Sequence, residues 1–127
     1  MRRCLFDTDV LIEYLRGRPS AIEYLESLEG ELYLSSVTVA ELYAGVKGRD
    51  EQHALEQFLQ AFRVIPLSER AARDGGLFRR DFGPSHGTDL PDALLAATAR
   101  ELDARLITFN RRHFPMLEDL EVPYRRD

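Results

Sequence analysis

Short apolar runs alternate with stretches of helical spacing along this chain, and that alternation restricts the fold more than any single motif. "RRCLF" (2–6) reads as a strand and "VLIEYLRG" (10–17) as a helix closed by Gly17. "PSAIEYLESLEG" (19–30) predicts a second helix, with Ser20 placed to cap it and Gly30 to stop it. "ELYLS" (31–35) alternates as a strand does, and "SVTVAELYAGV" (36–46) returns to helical spacing. Next come a helix over 50–62, a strand over 63–67 and a helix over 68–82 that Gly75-Gly76 weakens. Residues 83–89 read as a loop, 90–103 as a helix, 105–108 as a strand, 111–118 as a short helix and 121–124 as a last strand. Strands separated by helices require a parallel sheet covered on both faces. The expected architecture is therefore α/β, one domain over 1–127 with a central parallel sheet of about five strands. In such sheets ligands sit beyond the C-terminal strand ends.

The chain of 127 residues is long enough for one core and too short for two. No internal repeat or low-complexity tract interrupts it. No apolar run approaches the roughly 18 residues of a membrane span, so no membrane association is expected. Met-Arg-Arg-Cys leads straight into the first strand, which predicts no signal peptide. The one cysteine, Cys4, lies in the apolar run as a small core residue and fits a reducing, cytoplasmic location. A net charge of −5 argues against a protein that binds nucleic acid through a broad basic face.

Acids gather where the strands end. Asp7 follows the first strand, Glu41 comes one helical turn after Ser35-Ser36, and Asp89 and Asp92 open the helix that precedes the strand ending at Thr108. Asn110 lies two residues further on. Local explanations exist for most of these acids. Asp9 suits an N-cap, Thr38 and Glu41 fit a capping box, and Asp89 suits an N-cap with Asp92 in the first turn. Asp7 is harder to explain that way, because it precedes the helix and directly follows a buried strand. Three carboxylates about 5 Å apart would repel by roughly 3 kcal/mol per pair at an effective dielectric near 20. A fold tolerates this if the acids protonate or a cation joins them. Hard oxygen donors without His or Cys select Mg²⁺ or Mn²⁺ over zinc. His53, His86 and His113 show no zinc spacing, and no phosphate loop, nucleophile elbow or CxxC is present.

Four blocks, "LFDTDVLIEYL", "SSVTVAELYAGV", "LPDALLAATA" and "LITFNRRHF", resemble in order and separation the signature blocks of PIN-domain ribonucleases, in particular the VapC toxins of bacterial toxin–antitoxin pairs. The resemblance implies a Mg²⁺- or Mn²⁺-dependent endoribonuclease that cleaves RNA with metal-activated water. It places the family acids on Asp7, Glu41 and Asp92, with Asp7 and Asp92 as the main metal ligands. Glu41 would bind metal through water or orient the nucleophile. Supporting positions fall on Thr8, Thr108 and Asn110, with Asp89 beside them. Where many relatives carry a fourth acid this chain has His113, read as a pocket-rim or capping residue; Asp89 or Asp9 would replace the charge, or a second metal would be held weakly. Arg111 and Arg112, and also Arg79 and Arg80, are candidate RNA contacts, and "FGPSHGTD" a candidate flank of the substrate.

The resemblance also implies a VapB-like antitoxin. An Arg from it would pair with the acids, and its apolar part would lie between the helices near 10–16 and 36–46. A homodimer is expected from the apolar residues Leu42, Tyr43, Val46, Phe58, Leu59 and Phe62. Two other classes stay open: a metal-dependent DNase or phosphoesterase, and a PIN-fold binding module that does not cleave.

Overall fold

β1 (Cys4–Phe6) is buried along its whole length and sits at the centre of a five-stranded sheet of order β3-β2-β1-β4-β5. The structure is a computed structural model and describes residues 2–126. Every pairing is parallel, with Cys4 opposite Leu32 of β2 (Leu32–Ser35) and opposite Arg105 of β4 (Arg105–Ile107). β3 (Arg63–Ile65) and β5 (Leu120–Glu121) form the edges. Successive residues of a strand face opposite sides. Phe6 therefore joins one core with Val10, Leu11, Leu34 and Leu42, while Leu5 joins the other with Leu95, Ala96, Leu106 and Phe114. Helices cover both cores: α1 (Thr8–Leu15), α2 (Pro19–Ser27), α3 (Ser36–Ala44), α4 (Gly48–Leu59), α5 (Glu69–His86) and α6 (Leu90–Leu102). This is the α/β architecture expected from the alternation. From β1 the chain moves outward through β2 and β3, then returns to place β4 on the other side of β1. The crevice beyond the ends of β1 and β4 is thus the switch point at which open α/β sheets hold ligands.

Several local expectations are corrected. Ser20 does not cap α2; the helix starts at Pro19 after Arg18, which makes no side-chain cap, because the fixed φ of proline already suits a first turn. α5 runs unbroken through Gly75-Gly76 and does not end at Phe82. A Cβ on Gly75 would stand 2.7 Å from Leu94 Cδ2 and 3.0 Å from Leu94 Cα, so glycine is what lets α5 lie against α6. The helix continues through Pro84 to His86 and ends at Gly87, whose φ of +68° suits a glycine terminator. Residues 83–86 are therefore helical. The short helix expected over 111–118 is one 3₁₀ turn, Arg111–His113, and the last strand keeps only Leu120 and Glu121 before Pro123, which cannot donate to a ladder.

The apolar residues of α3 and α4 are not surplus. Leu42 is buried, and Val46, Phe58, Leu59 and Phe62 pack against the core, with Phe62 edge-on to Phe6 at 5.8 Å between ring centroids. Of that set only Tyr43 is among the exposed large hydrophobics. Cys4 is buried as expected, and no helix among the described residues is long and apolar enough to cross a membrane.

Candidate active site

Asp7 is the first residue after β1 and the N-cap of α1. Its Oδ1 accepts from Thr8 N–H at 2.7 Å, and its own N–H donates to Ile107 O of β4 at 2.9 Å. The cap expected at Asp9 therefore belongs to Asp7, because the helix begins two residues earlier than the periodicity suggested. Capping does not exhaust Asp7. Its Oδ2 accepts from Thr108 Oγ1 at 2.7 Å, and the residue is only 7% exposed. Asn110 N–H in turn donates to Thr108 Oγ1 at 3.0 Å.

Asp9 binds elsewhere. Its Oδ2 accepts from Phe109 N–H and from Asn110 Nδ2, both at 3.2 Å, while Oδ1 is buried with no partner among the described residues. Asp9 thus ties α1 to the segment that carries Thr108 and Asn110.

Glu41 does not close a capping box with Thr38. Ser35 caps α3 by accepting from Val37 N–H at 3.1 Å, so the helix begins too early for that box to form. Glu41 is exposed instead, and its Oε1 accepts from Thr8 Oγ1 at 2.8 Å. That bond brings the second sequence-predicted acid to the residue beside Asp7.

Asp89 caps α6 as expected, accepting from Asp92 N–H at 2.9 Å. Asp92 Oδ2 lies 3.1 Å from His113 Nδ1. His113 is therefore a direct partner of Asp92. Its carbonyl accepts from the buried Thr88 hydroxyl at 2.7 Å, which anchors the turn between α5 and α6. Neither Thr88 nor the His113–Asp92 contact carried a sequence signal, since each joins segments more than 20 residues apart.

The electrostatics are unusual for carboxylates. Burial, then the charge of Asp9 and more weakly that of Glu41, push Asp7 up to about 7, against the bonds from Thr108 and Thr8 N–H. Burial, then the charges of Asp89 and Asp7, push Asp92 up to about 8. Burial also raises Asp9. A divalent cation would offset these opposed charges, and an all-oxygen donor set suits Mg²⁺ or Mn²⁺. Among the described residues no three His, Cys, Asp or Glu side chains already form one such site. Thr8 holds one oxygen of Glu41 and His113 one oxygen of Asp92. The donor chemistry fits the ion. Around the acids, Arg111 and Arg112 are exposed on the 3₁₀ turn, whereas Arg80 is paired with Asp81 at 2.9 Å.

Comparison with known proteins agrees with the geometry. A family model described as "PIN domain" matches residues 4–118. Ribonuclease VapC19 of Mycobacterium tuberculosis is 43% identical over 124 residues, covering 94% of this chain and 98% of its own. Ribonuclease VapC10 of the same organism is 42% identical over 123 residues, covering 94% of this chain and 92% of its own. A toxin–antitoxin complex from Klebsiella pneumoniae contains a chain that superposes with a TM-score of 0.82 at 30% identity, over 95% of this chain and 98% of that one. The matched span, the relatives and the switch-point acids agree: this chain belongs to the PIN-domain family.

Proposed function

We propose that the protein is a metal-dependent endoribonuclease of the VapC type, the toxin member of a toxin–antitoxin pair. The observation that carries this reading is the position of Asp7 and Asp92 at the switch point, largely withdrawn from water, with the charge of one raising the proton affinity of the other. Nuclease chemistry on a phosphodiester needs such a focus of hard ligands, and the likeness to ribonucleases supports RNA as the substrate. Asp7 and Asp92 would hold Mg²⁺ or Mn²⁺. When bound, the ion supplies a lowered pKa for water and offsets charge on the scissile phosphate.

The side chains do the rest. Thr108 and the Thr8 N–H fix both oxygens of Asp7, so that carboxylate enters the reaction already oriented. Glu41 is the exposed member of the set and is placed to orient the attacking water and take its proton. Asn110, held by Asp9, offers its amide to water or phosphate. Water adds at phosphorus, one backbone P–O bond breaks, and the departing oxygen takes a proton from solvent. A cytoplasmic location accords with an RNA substrate.

A groove of about 520 Å³ between α1, α3 and α4 supports the antitoxin part of the reading. Ile12, Leu15, Leu42, Val46 and Leu55 line it, and Glu41 stands in its wall. These positions overlap the stretches where an apolar inhibitory segment was expected. An Arg from that segment could fork onto Glu41 while apolar residues fill the groove.

The decisive assay incubates the purified protein with labelled RNA and with DNA of the same sequence, with Mn²⁺ or Mg²⁺ and with a chelator. Cleavage of RNA alone, abolished by the chelator, is the expected result. Cleavage of DNA alone would make it a different phosphoesterase. Binding without cleavage would make it a recognition module.

A further inference from the structure

The pocket acids repel an RNA backbone, so the substrate needs cationic contacts held close to them. The sequence offered Arg111, Arg112, Arg79 and Arg80, yet the most organised guanidinium beside the site belongs to none of these. Arg126 sits over Phe109, its central carbon 4.2 Å from the ring centroid. Phe109 stands between Thr108, which holds Asp7, and Asn110, and its N–H is fixed by Asp9. Tyr124 meets the same ring edge-on at 5.1 Å between centroids, and Tyr24 flanks Tyr124 at 6.2 Å. Segment 122–126 therefore leaves the sheet after β5 and closes over the residue at the base of the site.

We infer that Arg126, stacked on Phe109, is a phosphate-binding residue for the RNA strand that enters the site. The inference rests on the endoribonuclease reading and deepens it. Two observations support it. First, the contact with the ring restricts the guanidinium before any substrate arrives, and its N–H donors can fork a phosphate. Second, Arg126 makes no ion pair with a carboxylate among the described residues, whereas Arg70, Arg73 and Arg80 are each paired with a neighbouring acid on α5. Arg111 and Arg112, exposed on the turn that follows Asn110, lengthen the same cationic rim.

The competing explanation is that Arg126 only covers Phe109. Arg126→Met separates the two, because it keeps an apolar stem over the ring and removes the charge, while Arg126→Lys keeps the charge without the fork. Steady-state RNA cleavage in Mn²⁺ should show KM raised about tenfold in Arg126→Met, with kcat within about twofold of the unaltered protein. The slope of log(kcat/KM) against log salt should become shallower by about 0.7, one phosphate contact on a single strand. Arg126→Lys should recover the slope and part of the KM. Arg73→Met carries the same change in net charge and should leave both unaltered. The inference is overturned if Arg126→Met keeps the original KM and salt slope, or if Arg73→Met shifts the slope equally. Failure of the unaltered protein to cleave RNA would instead overturn the reading on which the inference rests.

Discussion

Thr108 and Asp7 lie 101 positions apart in sequence, yet the Thr108 hydroxyl donates a 2.7 Å hydrogen bond to Asp7 Oδ2 in a site from which water is nearly excluded. The bond exists because β1 and β4 are neighbours in register, so the residues that follow them meet at the same sheet edge. It favours the charged form of Asp7 against burial and against the charge of Asp9. Thr108→Val keeps the shape and removes the donor, leaving a buried carboxylate oxygen and Asn110 N–H without that partner. The expected cost is about 1–3 kcal/mol in chemical denaturation, together with at least a tenfold loss of RNA cleavage. Loss of stability with full activity would mean that Thr108 braces the fold and does not tune Asp7.

The two glycines in the middle of α5 should behave oppositely. Gly75→Ala puts a Cβ against Leu94, including its backbone, and should destabilise by about 1–3 kcal/mol. Gly76 has open space beyond it, and Gly76→Ala should stabilise by about 0.5–1 kcal/mol through helix propensity alone. Urea melts of both variants check the pair. Equal effects would contradict the close approach of α5 to α6.

These cases show what was legible in the sequence. The order of strands and helices, the parallel sheet and the acids at strand ends follow from period and position, which are local properties. The errors arise where tertiary contact decides. Gly75-Gly76 reads as a weak point of the helix until Leu94 is seen to lie against Gly75. Thr38 and Glu41 read as a capping box until Ser35 is seen to start the helix earlier. Asp9 reads as a cap because the start of the helix was placed two residues too late. The pairing of His113 with Asp92, and of Arg126 with Phe109, depends on how distant segments fold back, and nothing in the local pattern encodes it.

Stability should depend on pH in a specific direction. Asp7 and Asp92 bind protons more tightly in the folded protein, to about 7 and about 8, than carboxylates do in an unfolded chain. The stabilisation they contribute is full below the ordinary carboxylate value near about pH 4 and is lost as pH rises through those two values. The melting temperature of protein kept in chelator should therefore fall between about pH 5.5 and about pH 8.5. Mn²⁺ should reverse much of that fall at the upper end, by binding the folded state. Asp92→Asn should flatten the profile. A melting temperature that rises across this interval would contradict the assigned shifts.

Antitoxin inhibition should be separable from catalysis. Leu15 is 41% exposed in the wall of the groove and is not among the residues assigned to the reaction. Leu15→Glu should release the cognate antitoxin by at least tenfold in Kd while RNA cleavage stays near its original rate. Glu41→Gln should also weaken binding, and inhibition should compete with Mn²⁺. Inhibition indifferent to both substitutions would place the antitoxin on another face.

The central claim is that Asp7 and Asp92 share a metal and were not retained merely to cap or brace helices. Calorimetric titration with Mn²⁺, run beside RNA cleavage and thermal melting in chelator, tests it on Asp7→Asn and Asp92→Asn. The account predicts weakened Mn²⁺ binding and abolished cleavage in both variants, with melting temperatures equal to or above the original, because each removes one of two mutually repelling charges. Variants that melt earlier yet bind Mn²⁺ and cleave RNA like the unaltered protein would contradict it.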